Sequence, residues 1–324
     1  MPATARRPAA ARYRLGAVGL DSDVTLDGFE HCLADPSGCP FQVRVRRAGP
    51  APEGGELVLR AVRGDRATEV RRHGDSSFTV TNDAYSATTV EADGGTIWWH
   101  LADSGPTVDD TEFLTTTVIP RALTRAGVPV LHGASILAPG GALLLTGPSG
   151  VGKSTAAAAL HRATGWPLLG DDAAVLGLAD GRPTVRSCAR DVRLWEDARH
   201  LLGMGAGTRL PRFADVGGKA RHTVAEPPRA AAPVRMVARL VPGEEPAVVR
   251  TPPAKRVAVT RNQLMRLDRT DRSGQAGEFA FLVQWARMVP MVELRHPRDG
   301  IASLEHTVAR LTELATSGMG AATT

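Results

Sequence analysis

Cysteine, lysine and long apolar runs are scarce in this chain of 324 residues. The three cysteines, Cys32, Cys39 and Cys188, form an odd and sparse set that argues against a disulfide framework, so we expect reduced thiols in a cytoplasmic protein. A metal site made of His31, Cys32 and Cys39 would have no evident fourth ligand. No apolar segment approaches the roughly 18 residues of a membrane span, so we expect no membrane insertion.

Aromatic residues are also rare, at 4% of the chain, while the formal net charge is +5. The basic residues are almost all arginine, and an arginine-rich stretch such as residues 60–72 lacks interleaved aromatic side chains on which bases could stack. The sequence therefore predicts no nucleic-acid partner. A modest basic excess is compatible with phosphates or acidic peptides as partners, but we interpret it as a solvated surface.

Composition divides the chain into two domains and two tails. Residues 1–12 are basic, contain no acid and lack the hydrophobic core of an export signal, so they predict a disordered tail. Residues 13–104 show short alternating strands and predict a mostly antiparallel β region. After a break rich in glycine, proline and aspartate, residues 105–317 alternate helices with apolar strands and predict an α/β catalytic domain. Residues 318–324 predict a second disordered tail.

Several elements of the second domain are predicted in more detail. A short apolar run at 142–146 indicates a buried strand, and the alanine-rich stretch 153–162 indicates a helix. A further buried strand is expected over 166–169. Residues 203–233, rich in Gly, Pro, Arg and Ala, predict a long mobile loop, and residues 259–268 predict a helix.

A phosphate-binding loop lies between that strand and that helix. Residues 147–155 read Gly-Pro-Ser-Gly-Val-Gly-Lys-Ser-Thr and match the Walker A pattern. Glycines let backbone N–H groups converge on the β-phosphate, the lysine would neutralise the β- and γ-phosphates, and the Ser154 hydroxyl would ligate Mg²⁺. The sequence thus predicts ATP or GTP and Mg²⁺ as ligands, with an ordinary glycine turn as the alternative. The predicted nucleotide-binding residues are Gly147, Pro148, Ser149, Gly150, Val151, Gly152, Lys153, Ser154 and Thr155.

Two adjacent carboxylates, Asp171 and Asp172, end the next predicted strand, where they can reach both Mg²⁺ and a nucleophile. One has an obvious role as a metal ligand. Because adjacent carboxylates repel, one pKa is expected to rise, and that residue would be a usable base for a hydroxyl proton. The alternative is that Gly-Asp-Asp merely forms a turn or a helix cap.

A histidine is the third candidate. His132 stands in Leu-His-Gly-Ala-Ser and precedes the phosphate loop by a predicted hairpin, which would bring it beside the loop. A structural histidine is the alternative for this position.

In this order the three motifs resemble the P-loop domain of HPr kinase/phosphorylase, a bacterial protein-serine kinase whose fold is related to phosphoenolpyruvate carboxykinase. The matching stretches are residues 131–137, 147–154 and 168–172. The resemblance implies an α/β P-loop domain of this type, here preceded by the mostly antiparallel β region.

The resemblance also implies roles for the candidate residues. Asp172 would take the serine proton, and Asp171 would support Mg²⁺ or Lys153. His132 would lie close to the transferred phosphate. The implied metal ligands are Ser154 and Asp171.

Three further cations extend the likeness more weakly. Arg193, Lys219 and Arg221 stand in stretches that resemble HPr-kinase-like proteins found beside lasso-peptide biosynthesis enzymes, which phosphorylate a precursor peptide on its carboxyl-terminal serine. We predict these residues as candidate contacts to phosphate or acceptor. Solvated loop charges, or for Arg193 a strand-surface charge, are the alternatives.

The chain also departs from the family, because no Glu-Ile-Arg-Gly stretch follows the aspartates. Phosphorylase activity and HPr as a substrate are therefore not expected. We predict an ATP- and Mg²⁺-dependent serine kinase acting on a small peptide or protein, such as a lasso-peptide precursor. A kinase of free serine or a similar small metabolite, and a non-catalytic nucleotide-binding regulator, stay open as alternatives, as does a homo-oligomeric state.

Overall fold

The computed structural model describes residues 11–63, 66–83, 85–188, 191–210, 218–223, 231–271, 275–297 and 300–317. These residues form two compact units. The first contains the described residues up to Val128 together with residues 266–271, and the second contains the remainder from Pro129 onwards. Most of the two predicted tails lies outside the described residues, although the first strand already begins at Ala11.

An open sheet of eight strands forms the body of the first unit. The strands are β1 (Ala11–Leu15), β2 (Val18–Ser22), β3 (Phe41–Ala48), β4 (Glu56–Arg63), β5 (Arg66–Arg72), β6 (Phe78–Asn82), β7 (Tyr85–Val90) and β8 (Thr96–His100). They lie in the order β1-β2-β3-β8-β7-β6-β5-β4. Neighbours are antiparallel except β2 with β3 and β3 with β8, which are parallel. The predicted mostly antiparallel β region is confirmed.

Two helices pack on this sheet, α1 (Val108–Phe113) and α2 (Ile119–Arg125), joined by a π-helical turn at Leu114–Val118. Asp110 closes the start of α1 in a capping box with Thr107, and its carboxylate also accepts the N–H of Ser86 on β7 at 2.7 Å. The rings of Tyr85 and Phe113 stack at 4.8 Å. These contacts keep the helices with the sheet, so the units divide between Val128 and Pro129 rather than near the predicted boundary at 104–110.

Residues 266–271 belong to the first unit although their flanking residues belong to the second. Two ion pairs hold this segment: Arg72 with Asp268 at 3.1 Å and Arg125 with Asp271 at 2.9 Å. The Asp268 carboxylate is buried and also accepts the N–H and hydroxyl of Thr270. The chain therefore leaves the second unit and returns to it within a short stretch.

The second unit contains a nine-stranded sheet and a separate three-stranded sheet. Its strands are β9 (Val130–Leu131), β10 (Ala134–Ala138), β11 (Gly141–Thr146), β12 (Leu168–Gly170), β13 (Ala174–Ala179), β14 (Arg182–Ser187), β15 (Asp191–Trp195), β16 (Thr208–Leu210), β17 (Lys219–Thr223), β18 (Ala232–Pro242), β19 (Ala247–Arg250) and β20 (Met291–His296). Its helices are α3 (Lys153–Thr164), α4 (Glu196–Leu201), α5 (Pro253–Asn262), α6 (Gln275–Met288) and α7 (Ile301–Thr316).

The centre of the larger sheet is formed by parallel strands. Strand β11 pairs in parallel with β18, and β18 with β20, while antiparallel β10 separates β11 from β12. Leu143 and Leu145 of β11 pack in the cluster formed with α3 and α7, whereas Leu144 packs in the cluster formed with α6. Burial on both faces explains the continuous apolar run.

Two predicted elements of this unit are wrong. Residues 203–233 are not simply a long loop, because β16 and β17 lie there and pair with β15 through β17 in the order β15-β17-β16. The predicted helix at 259–268 is instead α5, which ends at Asn262. The backbone beyond α5 bonds to the residues around β9: His132 N–H donates to the carbonyl of Gln263, and Met265 N–H donates to that of Val130. Tertiary hydrogen bonding thus overrides local helix propensity there.

Candidate functional site

The phosphate loop joins the end of β11 to the start of α3, as predicted. Gly147, Gly150 and Gly152 all have positive φ, at 138°, 79° and 99°. A Cβ atom at Gly147 would come within 2.3 Å of the carbonyl oxygen of Leu240 on the neighbouring strand β18. Glycine is needed there for both conformation and space, and the loop consequently curls over the N-terminus of α3, the partially positive end of the helix.

Lys153 is the first residue of α3 and is buried. Its Nζ donates to the carbonyl oxygens of Gly147 at 3.1 Å and Pro148 at 3.0 Å, which folds the side chain back along the loop. Burial lowers the pKa of Lys153, and the carboxylates of Asp172 and Asp171 oppose that shift in part. The ammonium group is thus fixed inside the curve of the loop, where a phosphate would lie.

Ser154 and Asp171 meet beside the loop. The Ser154 hydroxyl donates to Oδ1 of Asp171 at 2.8 Å, and the backbone N–H of Arg193 donates to Oδ2 at 3.0 Å. Asp171 is 2% exposed, and burial together with the charge of Asp172 raises its pKa to about 6. A hydroxyl and a carboxylate oxygen in contact are the hard oxygen donors that Mg²⁺ prefers, so these two residues fit the predicted metal site.

Asp172 differs from its neighbour in exposure and in backbone conformation. It is half-buried, whereas Asp171 is buried, and its φ of 65° lies in the left-handed region that few residues other than glycine adopt. Burial acts to raise the pKa of Asp172, but the charges of Lys219, Arg193, His132 and Lys153 lower it overall. Burial, and after it the charge of Asp172, therefore raises the pKa of Asp171, whereas the residue expected to act as the base has the lowered pKa.

His132 lies next to the two aspartates. Its Nδ1 is 3.0 Å from the carbonyl oxygen of Asp172, and since a carbonyl only accepts, this nitrogen carries the proton. The carbonyl of His132 accepts the hydroxyl of Thr146, the last residue of β11, at 3.3 Å. At Gly133 a Cβ atom would come within 2.5 Å of the Leu145 carbonyl oxygen, so glycine permits this close approach.

The three further predicted cations lie on the β15–β17 pair. Arg193 is 2% exposed and Arg221 3% exposed, so neither is a solvated surface charge. Lys219 is half-buried, with Nζ 5.6 Å from the ring centre of Trp195. The charges of Lys219 and Arg193 both lower the pKa of Asp172, so these two cations lie near the candidate site.

Two residues of this strand pair were not predicted as site residues. Asp191 forms an ion pair with Arg221 at 3.7 Å between Oδ2 and Nε, and Trp195 lies under Lys219. The available signal was the alternation of Asp191, Arg193 and Trp195 along one strand, with apolar residues between them.

The geometry confirms the expected fold class, an α/β domain with a P-loop preceded by a mostly antiparallel β region. Sequence comparison finds two curated relatives of similar identity. The cytochrome c biogenesis ATP-binding export proteins CcmA of Ruegeria pomeroyi and Roseobacter denitrificans are each 38% identical to this chain over 89 residues. These matches cover 25% of this chain and 43% of each relative, so the chain spans less than half the length of these curated relatives.

Other comparisons are less informative. No protein-family model matches the chain. The solved structure of the Hpr(Ser) kinase/phosphatase from Coxiella burnetii aligns with 58% of this chain and 99% of its own, at 15% identity and a TM-score of 0.29. Within the described ranges, every helix falls short of the length and apolar content that a bilayer span requires.

Proposed function

We propose that the protein is a cytoplasmic ATP- and Mg²⁺-dependent kinase that transfers the γ-phosphoryl group to a serine hydroxyl. The observation that carries this proposal is the pairing of a buried carboxylate, Asp171, with a half-buried one, Asp172, beside a phosphate loop. A nucleotide switch would need one acid for its metal. The second acid, which is only half-buried, has a place in a reaction with an acceptor hydroxyl.

The acceptor we propose is a serine on a small peptide or protein, specifically a biosynthetic precursor peptide. This part of the proposal rests on the resemblance of the stretches around Arg193 and Lys219 to lasso-peptide tailoring kinases. A free serine or a similar small hydroxyl metabolite is the competing acceptor for the same chemistry.

In the proposed reaction each side chain has a distinct task. Lys153, inside the loop, holds the β- and γ-phosphates. Ser154 and Asp171 would hold Mg²⁺, which would neutralise phosphate charge. Lys219 adds positive charge on the side of Asp172. The mechanism is therefore largely one of positioning and charge stabilisation.

Asp172 orients the acceptor hydroxyl and receives its proton. A lowered pKa makes this carboxylate a weak base, but phosphoryl transfer passes through a loose transition state in which little covalent assistance is needed. Staying ionised among Lys219, Arg193 and His132 keeps the carboxylate ready to accept a hydrogen bond. His132, fixed through Nδ1, adds a further polar group near the phosphate.

The test is the Asp172→Asn variant, assayed with ATP labelled on the γ-phosphate and serine-containing peptide and small-molecule acceptors. We expect kcat to fall by about 10²- to 10⁴-fold while nucleotide affinity stays within a few-fold of the wild type. Asp180→Asn is the matched control, because Asp180 also has positive φ, at 51°, but lies exposed in the turn between β13 and β14.

Three results would overturn parts of the proposal. Wild-type transfer by Asp172→Asn would remove the acceptor role of this carboxylate. Label in a small product and none in peptide would replace the peptide acceptor. No labelled acceptor at all, with slow hydrolysis and a partner that binds only with nucleotide, would favour the non-catalytic regulator.

A further inference from the structure

Two arginines face each other in the small sheet beside the candidate site. Strands β15 and β17 are antiparallel, and their register sets Arg193 directly opposite Arg221. Side chains so paired share one face of the sheet, with Cβ atoms about 5 Å apart. Both side chains are buried. Two guanidinium charges in this position repel each other with little screening from water, so the fold needs a counter-charge that keeps them apart.

Asp191 supplies that counter-charge from the same strand as Arg193. It lies two residues earlier on β15, which places both side chains on one face. Its carboxylate is 3.7 Å from Nε of Arg221, and the two side chains are 1% and 3% exposed. A buried ion pair of this kind is costly to break from one side, because the remaining charge stays buried without compensation.

The other arginine, Arg193, is linked to the two carboxylates of the candidate site through its backbone and its charge. The backbone N–H of Arg193 bonds to Asp171, which ties β15 to the metal-binding acid. The charge of Arg193 also acts to lower the pKa of Asp172 and opposes the rise in the pKa of Asp171. The buried arginines are thus divided, with Arg221 on Asp191 and Arg193 towards Asp171 and Asp172.

We propose that Asp191 is a positioning residue for phosphoryl transfer. By holding Arg221, it keeps that guanidinium off the Asp171–Asp172 pair and leaves Arg193 and Lys219 to act there. This proposal rests on the proposed kinase function. Without the negative charge, Arg221 is drawn to the two reacting carboxylates and disturbs both Arg193 and the acceptor position.

The experiment is a double-mutant cycle on Asp191→Asn and Arg221→Gln, read as kcat and KM for ATP and for the peptide acceptor. We expect Asp191→Asn to lower kcat by about 10- to 100-fold, the usual effect of losing an outer partner of a site, with the KM for ATP within about 3-fold of wild type. The double variant removes both charges, so we expect it to recover most of the lost kcat.

Controls separate positioning from folding and from the kinase proposal itself. Asp21→Asn removes a carboxylate from a more exposed arginine pair, Arg46–Asp21 of the first unit, and should leave kcat unchanged. Thermal unfolding with and without ATP reports whether each variant is folded. Wild-type kcat in Asp191→Asn, or an equal loss in the single and double variants, would overturn the positioning role. If instead the wild-type protein labels no acceptor at all, it is the kinase proposal that fails.

Discussion

In the first unit buried carboxylates stabilise helix ends and a loop, whereas in the second unit buried charges of both signs surround the candidate site. Asp110 caps α1 and accepts a backbone N–H from β7, and Asp268 is paired with Arg72 and bonded to Thr270. Each of these acids has a structural partner that accounts for its burial. Charge in this unit serves to fix helix ends and a loop.

The second unit buries charge at a cost to its own stability. Burial lowers the pKa of Lys153 inside the phosphate loop and raises the pKa of Asp171. Arg193 lies opposite Arg221 in the strand pair. Asp172 adds backbone strain. Charges held against desolvation and repulsion are typical of functional sites, where stability is given up for activity. The comparison predicts that, in the second unit, the mutations with the largest effect on activity are those that lower the free energy of unfolding least.

The largest expected effect comes from Lys153→Ala. Removing the ammonium group from the loop should lower kcat/KM for phosphoryl transfer by about 10³-fold. Because burial opposes the charged form of this lysine, the variant should be at least as stable as the wild type to urea. Lys255→Ala, on the exposed face of α5, is the matched control and should change neither quantity. A variant that lost stability and activity together would contradict the functional use of this buried charge.

A smaller effect is expected from alanine at two glycines with the same steric constraint. At Gly94 in the first unit and Gly147 in the second, φ is positive and a Cβ atom would lie 2.3 Å from a carbonyl oxygen. Each substitution should lower the free energy of unfolding by about 2–3 kcal/mol. We expect Gly147→Ala also to weaken ATP binding, whereas Gly94→Ala should leave it unchanged. Urea unfolding and nucleotide titration of the folded protein test this, and equal losses of affinity would remove the contrast between the units.

The smallest expected effect is a pH dependence. Burial raises the pKa of Cys188 in the second unit from its ordinary value near 9 to about 12. The unfolded chain therefore loses this proton first as pH rises, so stability falls between about pH 9 and 12. At pH 10 the loss should be about 1 kcal/mol relative to pH 8. The urea midpoint should fall less in Cys188→Ala than in the wild type, while Cys39→Ala, at a half-buried thiol of the first unit, should behave as the wild type.

The phosphate loop and its neighbours could be predicted because their signals are local. The loop, the strand before it and the helix after it lie in one stretch, and Asp171 ends the strand that follows. Helix α7 carries a local signal of the same kind, an unbroken apolar periodicity over Ile301–Thr316. The roles assigned to these residues stay predictions.

The strand pair that carries Arg221 could not be predicted. Its stability comes from pairing with β15 across an interval rich in glycine, and such non-local pairing leaves little trace in a short window. The burial of Arg193 depends on the same pairing. The end of α5 was missed for a similar reason, since the residues after it bond to Val130 and His132, far away in sequence.

The short detour of residues 266–271 has a consequence for dividing the protein. A fragment that begins at Pro129 carries Asp268 and Asp271 without Arg72 and Arg125, their partners in the first unit. A fragment that ends at Val128 has the two arginines without the acids. No single cut in the chain separates the two units. An exchange of the first unit must therefore include residues 266–271.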